Sequence, residues 1–298
     1  PYIAAMGEGG EPWVNGASMN NQGVEFTVSF KSDPSSEFQW AVSANIGTYK
    51  TELTDLPSNV INKYAGDGVH DLILGRSPNS AYGLVADGIF KTQEEVDAHA
   101  DQPGKAVGRI RYKDLDGDGV INETYDRTWI GCYDPDFFGG LNFDFAYKGF
   151  DLNLFFEGMF GNDVNSDWKK ESDIWLFTNP AWKNHATRML GGWSPDNPNS
   201  DIPAISNNTA NQEQRFSSWF IEDGSYIKLR NIELGYTFPT KLIKKMHMSN
   251  LRLYAAAYNV FTLKKFWGDD KYTSFDPERP SYHYLTPFTF NFGINVSF

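Results

Sequence analysis

The sequence predicts an all-β protein, part of a large antiparallel β-barrel that crosses a membrane and carries long extracellular loops. Three observations support this: apolar and polar residues alternate along several segments, short and long links separate those segments in turn, and long apolar runs are missing. The clearest alternation runs from Phe288 to Phe298. A period of two indicates a strand with one apolar face, and about ten residues suit one membrane crossing. Soluble barrels also contain such strands, so the other segments have to decide.

The alternation recurs in about six membrane strands that together span residues 1–298. We place strand segments at 22–31, 38–49, 138–148, 149–160, 225–238, 250–263 and 287–298. The links at 32–36, 148–149 and 239–248 are short, and those at 51–136, 161–224 and 264–286 are long. Bacterial membrane barrels have short periplasmic turns and long outer loops, so this segregation favours the membrane over a soluble sandwich.

Several local features refine the strand assignment. A shift in phase near Arg230 predicts a β-bulge, 239–248 reads as a short helical turn, and Thr92–His99 reads as a short helix. Within the first long link, 72–74 and 82–90 are a candidate hairpin. About six strands cannot close a membrane barrel, and lipid does not tolerate open strand edges. We therefore expect the first and last strands to be completed by strands outside this chain.

Composition limits the class of protein. The chain is 40% hydrophobic and 16% aromatic with a mean hydropathy of −0.48, and no apolar run reaches the roughly 18 residues of a membrane helix. A net charge of −12 argues against a nucleic-acid partner. Cys132 is the single cysteine, which excludes a disulfide framework and a thiolate cluster. No signal peptide opens the sequence, so we expect it to be a piece of a longer chain.

Several strings of residues resemble the SusC/RagA-type TonB-dependent transporters of Bacteroidota. They are found at Asp114–Ile121, Tyr147–Leu152, Trp193–Asn199, Glu222–Asn231, Leu234–Pro239 and Asn250–Tyr254. The resemblance runs in order from about Gly23 to Phe298, and it identifies the chain as the C-terminal portion of such a barrel. It implies a 22-stranded barrel with an N-terminal plug domain and a TonB-contacting segment, both outside this chain. It also implies Phe292 and Phe298 as part of a C-terminal signal read by the barrel-assembly machinery.

An acidic stretch matches the D-x-D-x-D-G pattern of a calcium loop, in which alternate oxygens surround a hard cation. The candidate ligands are Asp114, Asp116, Asp118, the carbonyl of Val120, Asn122 and Asp126. The pattern departs from an EF-hand because Tyr125 stands where a bidentate Glu is expected, so Asp126 would have to close the shell one residue late. The alternative is a hydrated acidic turn.

Tryptophans concentrate in the long links, and indole rings can stack on sugars. The candidate substrate-binding residues are Trp168, Trp175, Trp182 and Trp193. The alternative is that these rings pack loops against each other or against a partner. No spacing nominates a catalytic carboxylate pair, and the scattered histidines suggest no metal triad. We therefore expect neither an enzyme nor an organic cofactor.

The function implied by the resemblance is TonB-dependent import of large nutrients across the outer membrane. Oligosaccharide is the expected cargo and oligopeptide the alternative. The implied partners are a SusD-like surface lipoprotein acting as a lid, the TonB–ExbB–ExbD complex and outer-membrane lipid. A hypothesis of a different class is a structural or adhesive surface barrel.

Overall fold

The computed structural model describes residues 16–57, 72–174, 185–206, 210, 212–264, 273–280 and 284–298. Its main feature is a seven-stranded antiparallel sheet. The strands of this sheet are β1 (Ser18–Lys31), β2 (Phe38–Asp55), β7 (Phe137–Tyr147), β8 (Phe150–Phe160), β11 (Tyr226–Thr237), β12 (Asn250–Lys264) and β13 (Thr289–Ser297). The order β1-β2-β7-β8-β11-β12-β13 makes an up-and-down meander.

The count of about six strands was one short, because each of the seven predicted segments forms a strand of the sheet. The terminal strand β13 pairs with β12. The second strand extends farther than predicted: β2 continues to Asp55, so its end lies inside the stretch assigned to the first long loop. Its partner β7 pairs only as far as Gly47, while β1 follows β2 to its end. The β1–β2 hairpin therefore extends beyond the end of β7.

The two faces of the sheet differ in chemistry, as the alternation predicts. On one face Phe143 lies opposite Leu154, and Leu154 lies opposite Ile232. On the other face Asp144 lies opposite Asn153, and Asn153 lies opposite Glu233. Large residues of the apolar face remain exposed: 62% of the surface of Phe26 and 78% of that of Phe292 is accessible. An exposed apolar face of this extent marks a surface that contacts a membrane or another protein.

The predicted bulge and turns are confirmed. The register of β11 shifts between Leu229 and Asn231 against both of its neighbours. The extra residue brings Arg230 to the polar face, where its Nε lies 2.8 Å from a carboxylate oxygen of Glu157. Lys148 and Gly149 both have positive φ and close the two-residue turn between β7 and β8. The 239–248 link holds a helical turn, α3 (Thr240–Ile243), followed by a 3-10 turn, Lys244–Met246.

The long links fold into a second region at one end of the strands of the sheet. We call the described residues of 56–136, 161–224 and 265–286 the loop layer. Its elements are β3 (Ser80–Leu84), β4 (Ala86–Ile89), α1 (Gln93–Ala98), β5 (Ile110–Tyr112), β6 (Arg127–Cys132), β9 (Asp163–Asn165), α2 (Asp167–Lys169), a π-turn (Lys170–Ile174), a 3-10 turn (Thr187–Gly191) and β10 (Ile221–Asp223). The strands pair as β3–β6, β4–β5 and β9–β10.

One prediction for the loop layer is confirmed and one is wrong. Helix α1 is capped by Thr92, whose side chain accepts a hydrogen bond from the Glu95 amide. The hairpin between 72–74 and 82–90 does not form. Instead Ser80–Leu84 pairs with Arg127–Cys132, far away in sequence, and Leu84 is buried in a hydrophobic cluster.

The loop layer has its own hydrophobic core. Leu84, Ile89, Ile110, Tyr112 and Ile121 form its main cluster. A buried ion pair lies beside this cluster: Arg109 Nη1 is 2.7 Å from Glu213 Oε2, and Glu213 also accepts the Ile110 amide. Burial raises the pKa of Glu213, although Arg109 opposes the shift. Among the described residues, no helix is long and apolar enough to span a membrane.

Candidate functional site

The loop layer encloses a cavity of about 1080 Å³. The strand pair β9–β10, the turn around α2, the chain at 185–188 and the segment 273–275 form its walls. Its chemically distinctive lining residues are Asp163, Trp168, Lys169, His185, Arg188, Trp219, Glu222, Asp223, Thr273 and Phe275. A cavity of this size lined by aromatic, acidic and basic groups can bind a sizeable polar ligand.

Aromatic rings form one side of the cavity. Trp168 and Phe275 meet edge to face, with ring centroids 4.6 Å apart and an interplanar angle of 68°. The ammonium group of Lys169 lies 4.6 Å from the centroid of Trp219, within the range of a cation–π contact. The first contact holds Trp168 in place for stacking on a flat ligand, whereas Trp219 is covered by Lys169 and also packs against the main core cluster.

Glu222 connects the strand pair to the segment 273–275. Its carboxylate accepts hydrogen bonds from the amide and the hydroxyl of Thr273, at 3.0 and 2.8 Å. Lys169 lies 3.7 Å from the same carboxylate and donates to the carbonyl of Trp219. The charge of Glu222 is therefore largely compensated within the protein.

Two further carboxylates lie opposite each other where β9 and β10 pair. Asp163 and Asp223 are register partners, and both line the cavity. Burial raises the pKa of Asp163, the amide of Cys132 lowers it by donating a hydrogen bond at 2.8 Å, and the charges of Asp223 and Asp136 raise it further. Like charges at directly opposed positions repel each other, so this wall favours ligand groups that donate hydrogen bonds.

The 185–188 edge of the cavity is tied to the π-turn. Arg188 Nε lies 3.2 Å from Asp173 Oδ1, and His185 Nδ1 is 2.7 Å from the carbonyl of Ser172. Burial lowers the pKa of Arg188, and the nearby charge of Glu222 opposes the shift. Because its partner Asp173 is buried, Arg188 is positioned rather than free to sample the cavity.

The structure separates the predicted tryptophans. Trp168 lines the cavity, whereas Trp193 packs against the main core cluster of the loop layer. Trp175 and Trp182 lie outside the described residues. Trp219, Glu222 and Thr273 were not among the predicted site residues. Glu222 and Trp219 fall in or beside one of the strings that resemble the family, but only the β9–β10 pairing shows that they face the cavity.

The candidate calcium ligands lie in one loop next to Ile121 of the main core cluster. The carboxylates of Asp114, Asp116 and Asp118 each place an oxygen within 4.8 Å of the others. Asp114 accepts hydrogen bonds from the amides of Gly119 and Gly117, and these lower its pKa against the effect of burial. Asp116 accepts the Asp118 amide, and Asp118 accepts the Val120 amide. The three carboxylates therefore converge on one another.

The remaining candidate ligands are arranged differently. Asp126 is buried, and its two oxygens accept the amides of Leu115 and Asn122 at 2.8 and 2.7 Å. Asn122 Oδ1 accepts the amides of Thr124 and Tyr125, and the carbonyl of Val120 lies 3.5 Å from Asn122 Nδ2. Asp126 thus uses both of its oxygens to bind backbone amides of the loop, as a bidentate Glu uses both of its oxygens to bind an ion.

Phe292 and Phe298 lie at the end of the sheet. Phe292 projects from β13 on the apolar face, and Phe298 follows the last residue of that strand with 89% of its surface exposed. Both rings are accessible to another protein, as recognition by assembly machinery would require.

Comparison with known proteins reveals the family. No protein-family model matches the chain. TonB-dependent receptors P3 and P26 of Formosa agariphila are 30% and 28% identical to it over 95% of its length, which is 29% and 30% of theirs. TonB-dependent receptor SusC of Bacteroides thetaiotaomicron is 26% identical over 95% of the chain and 27% of SusC. The chain belongs to the SusC/RagA-type TonB-dependent receptors.

Solved structures agree with this fold. The chain superposes on the RagAB peptide transporter with a TM-score of 0.72 at 22% identity, over 100% of its own length and 31% of the other. The match is to the C-terminal portion of the barrel, and the chain spans less than a third of the curated relatives reported above. These receptors are outer-membrane β-barrels. The exposed apolar face of the sheet is therefore the lipid-facing surface, the polar face lines the lumen, and the loop layer is extracellular.

Proposed function

We propose that this chain forms part of the barrel wall and an extracellular ligand-binding region of a TonB-dependent importer of large nutrients. The observation that carries the proposal is the cavity of about 1080 Å³ in the loop layer. Its position is where a ligand from outside the cell would be captured first. The similarity to receptors that are named TonB-dependent supports the same function.

We propose oligosaccharide as the cargo class. Trp168 offers an indole ring that can stack on a sugar ring, and Asp163 and Asp223 offer oxygens that can accept hydrogen bonds from hydroxyl groups. The main cationic groups of the cavity, Lys169 and Arg188, already have carboxylate partners. Neutral, hydroxyl-rich ligands suit such a site.

Oligopeptide is the second candidate. The solved relative is described as a peptide transporter, and the acidic pair Asp163 and Asp223 would also suit an ammonium group. The two candidates differ in one property, since a peptide carries at least one positive charge at neutral pH and a neutral glycan carries none.

Two partners complete the proposal. A SusD-like surface lipoprotein would close over the loop layer as a lid, and TonB with ExbB and ExbD would supply energy through a part of the receptor outside this chain. The names SusC and RagAB among the relatives support a paired lipoprotein. Co-purification of the receptor from outer membranes, with identification of the bound lipoprotein, tests this part.

Binding of defined ligands to the purified receptor tests the cargo class. We expect neutral oligosaccharides to bind and Trp168→Ala to weaken binding by about tenfold, as loss of an aromatic contact of about 1 kcal/mol or slightly more implies. Trp40→Ala, on β2 and away from the cavity, serves as the control and should bind normally. Binding of peptides alone would select the second candidate. Absence of binding for both classes would reject the cavity as the ligand site.

We also propose that the loop of Asp114, Asp116 and Asp118 binds Ca²⁺, with the carbonyl of Val120, Asn122 and Asp126 as the further ligands. Convergence of the three carboxylates supports this. Calorimetric titration with Ca²⁺ tests it: heat is expected at up to about millimolar metal, the range of extracellular modules. Asp116→Asn should abolish the heat, and Glu123→Gln, outside the cluster, should not. A flat titration of the unaltered receptor would make the loop a hydrated acidic turn.

A further inference from the structure

One wall of the cavity is formed by the segment 273–280, which approaches from the third long link. On the cavity side, Thr273 donates two hydrogen bonds to Glu222, and Phe275 packs edge to face on Trp168. Ser274 is buried, and its hydroxyl lies 2.8 Å from that of Ser166. This short segment thus touches both chain regions that frame the opposite side of the cavity.

The other side of the segment is anchored to the barrel wall by two lysines. Lys228 on β11 is only 2% exposed, and its ammonium group pairs with Asp276, at 2.6 Å, and with Glu278. Lys264 on β12 donates to the carbonyls of Ser274 and Phe275. These lysines lie two steps apart along one strand pair, because Tyr226 is the register partner of Lys264. The wall therefore holds both the side chains and the backbone of the segment.

Neighbouring groups reinforce the anchor. Tyr226 donates from its hydroxyl to Glu278 at 3.0 Å, and Arg230 bridges Glu278 and Glu157. Asp276 also shapes the segment itself, since its carboxylate accepts the Glu278 amide and its carbonyl accepts the Arg279 amide. Each acidic group of the segment is thus directed at the lumen-facing side of β11.

A buried ammonium group is costly unless it is paired, so the position of Lys228 requires Asp276 and Glu278 to remain beside it. Lys228 is not among the described residues that line the cavity. Its effect on the cavity has to pass through the segment. We infer that Lys228 is a positioning residue, which sets one wall of the ligand cavity by fixing segment 273–280 against the barrel.

The consequence for ligand binding rests on the proposed function of the cavity. The anchoring itself does not, because the position of the segment can be measured without any ligand. A failure of the anchoring and a failure of the cavity as a ligand site are therefore distinguishable.

The experiment measures amide hydrogen exchange in the intact receptor in detergent, for the unaltered protein and for Lys228→Met. Methionine keeps the length of the side chain but removes both ion pairs. We expect amides in 273–280 to exchange at least about tenfold faster, since loss of one partner of a buried pair is strongly destabilising. Amides in 231–237 of the same strand should keep their protection. Lys148→Met, which removes the exposed pair with Glu37, is the matched control and should leave 273–280 unchanged.

A second measurement uses the buried Ser274. In a Cys132→Ser background, Ser274→Cys provides a thiol whose reaction with a membrane-impermeant maleimide reports exposure of the segment on whole cells. We expect slow labelling with Lys228 present and at least about tenfold faster labelling with Lys228→Met. Asp276→Asn breaks the same pair from the segment side, so it provides the test if Lys228→Met does not reach the outer membrane.

Two outcomes overturn the inference. Unchanged exchange and labelling in both variants would mean that the contacts of Thr273 and Phe275 hold the segment without the lysine. Faster exchange throughout β11 and β12, with no preference for 273–280, would make Lys228 a residue of general stability rather than a positioning residue.

Discussion

The sheet and the loop layer are built on different principles. In the sheet, each residue is placed by its two strand neighbours, and the side-chain period of two sorts residues between lipid and lumen. In the loop layer, short ladders such as β3–β6 join segments far apart in sequence, around a core that includes Leu84 and Ile110. The apolar residues of the sheet face lipid, whereas those of the loop layer have to be buried in a core of their own. Substitutions should therefore act by different rules in the two regions.

The largest expected effect is in the loop layer. Arg109→Met leaves the buried carboxylate of Glu213 without its cation and should destabilise this region by about 3–5 kcal/mol. Limited proteolysis of the purified receptor should then cut within the loop layer while the sheet stays intact. Arg111→Met removes a more exposed pair with Asp87 and should cost no more than about 1 kcal/mol. Equal resistance of both variants to protease would show that the buried pair is not needed.

The next largest effect is expected on the sheet, where substitutions at two adjacent residues test its two faces. Leu154→Lys puts a charge on the lipid-facing side and should cost about 2–4 kcal/mol if the residue lies near the middle of the bilayer. Asn153→Lys puts the same charge beside Asp144 on the lumen side and should change stability by less than about 1 kcal/mol. Urea unfolding in lipid vesicles measures both. A similar cost for the two would contradict the assignment of the faces.

Acid should weaken the junction between the two regions. Burial alone would raise the pKa of Glu278, but hydrogen bonds and charges from Lys228 and Arg230 outweigh it and hold the pKa below its ordinary value of 4.5. A lowered pKa stabilises the folded state at all pH values above the ordinary one, and this contribution is lost as pH falls through the folded value. Tyr226 donates to Glu278, while Asp276 shares its partner Lys228 and Glu157 shares its partner Arg230.

We therefore expect segment 273–280 to stay protected from hydrogen exchange, after correction for intrinsic rates, down to about pH 4.5 and to lose protection below it. Glu278→Gln should flatten this dependence. Loss of protection already near pH 6 would show that another group controls the segment.

The smallest effect on the folded protein is expected at the terminal residue. Phe298 lies beyond β13 and is largely exposed, so its deletion should leave the sheet and ligand affinity unchanged. As part of the proposed assembly signal, it should nevertheless be needed for yield in the outer membrane, measured by immunoblot of membrane fractions. Phe298→Ser, which keeps the length of the chain but removes the aromatic ring, serves as the comparison. Unchanged yield in both variants would remove Phe298 from the signal.

Local patterns in the sequence predict almost the whole sheet. Strand positions, the bulge at Arg230, the short turns and the terminal pairing of β12 with β13 all follow from local patterns, since the period of two is readable one strand at a time. The extension of β2 to Asp55 was missed because that part of the strand leaves the membrane, so its two faces no longer need to differ in polarity.

The loop layer and the candidate site depend instead on contacts between segments that are distant in the sequence. Trp168 and Trp193 look equivalent in the sequence, yet the fold places one in the cavity wall and the other against a core. Lys228 is one polar residue of an alternating strand, and only the return of Asp276 and Glu278 from a distant link makes it a buried anchor. The physical reason is that an ion pair or a packed ring depends on contacts between residues far apart in the chain. Such contacts produce no local repeat in the sequence around either partner.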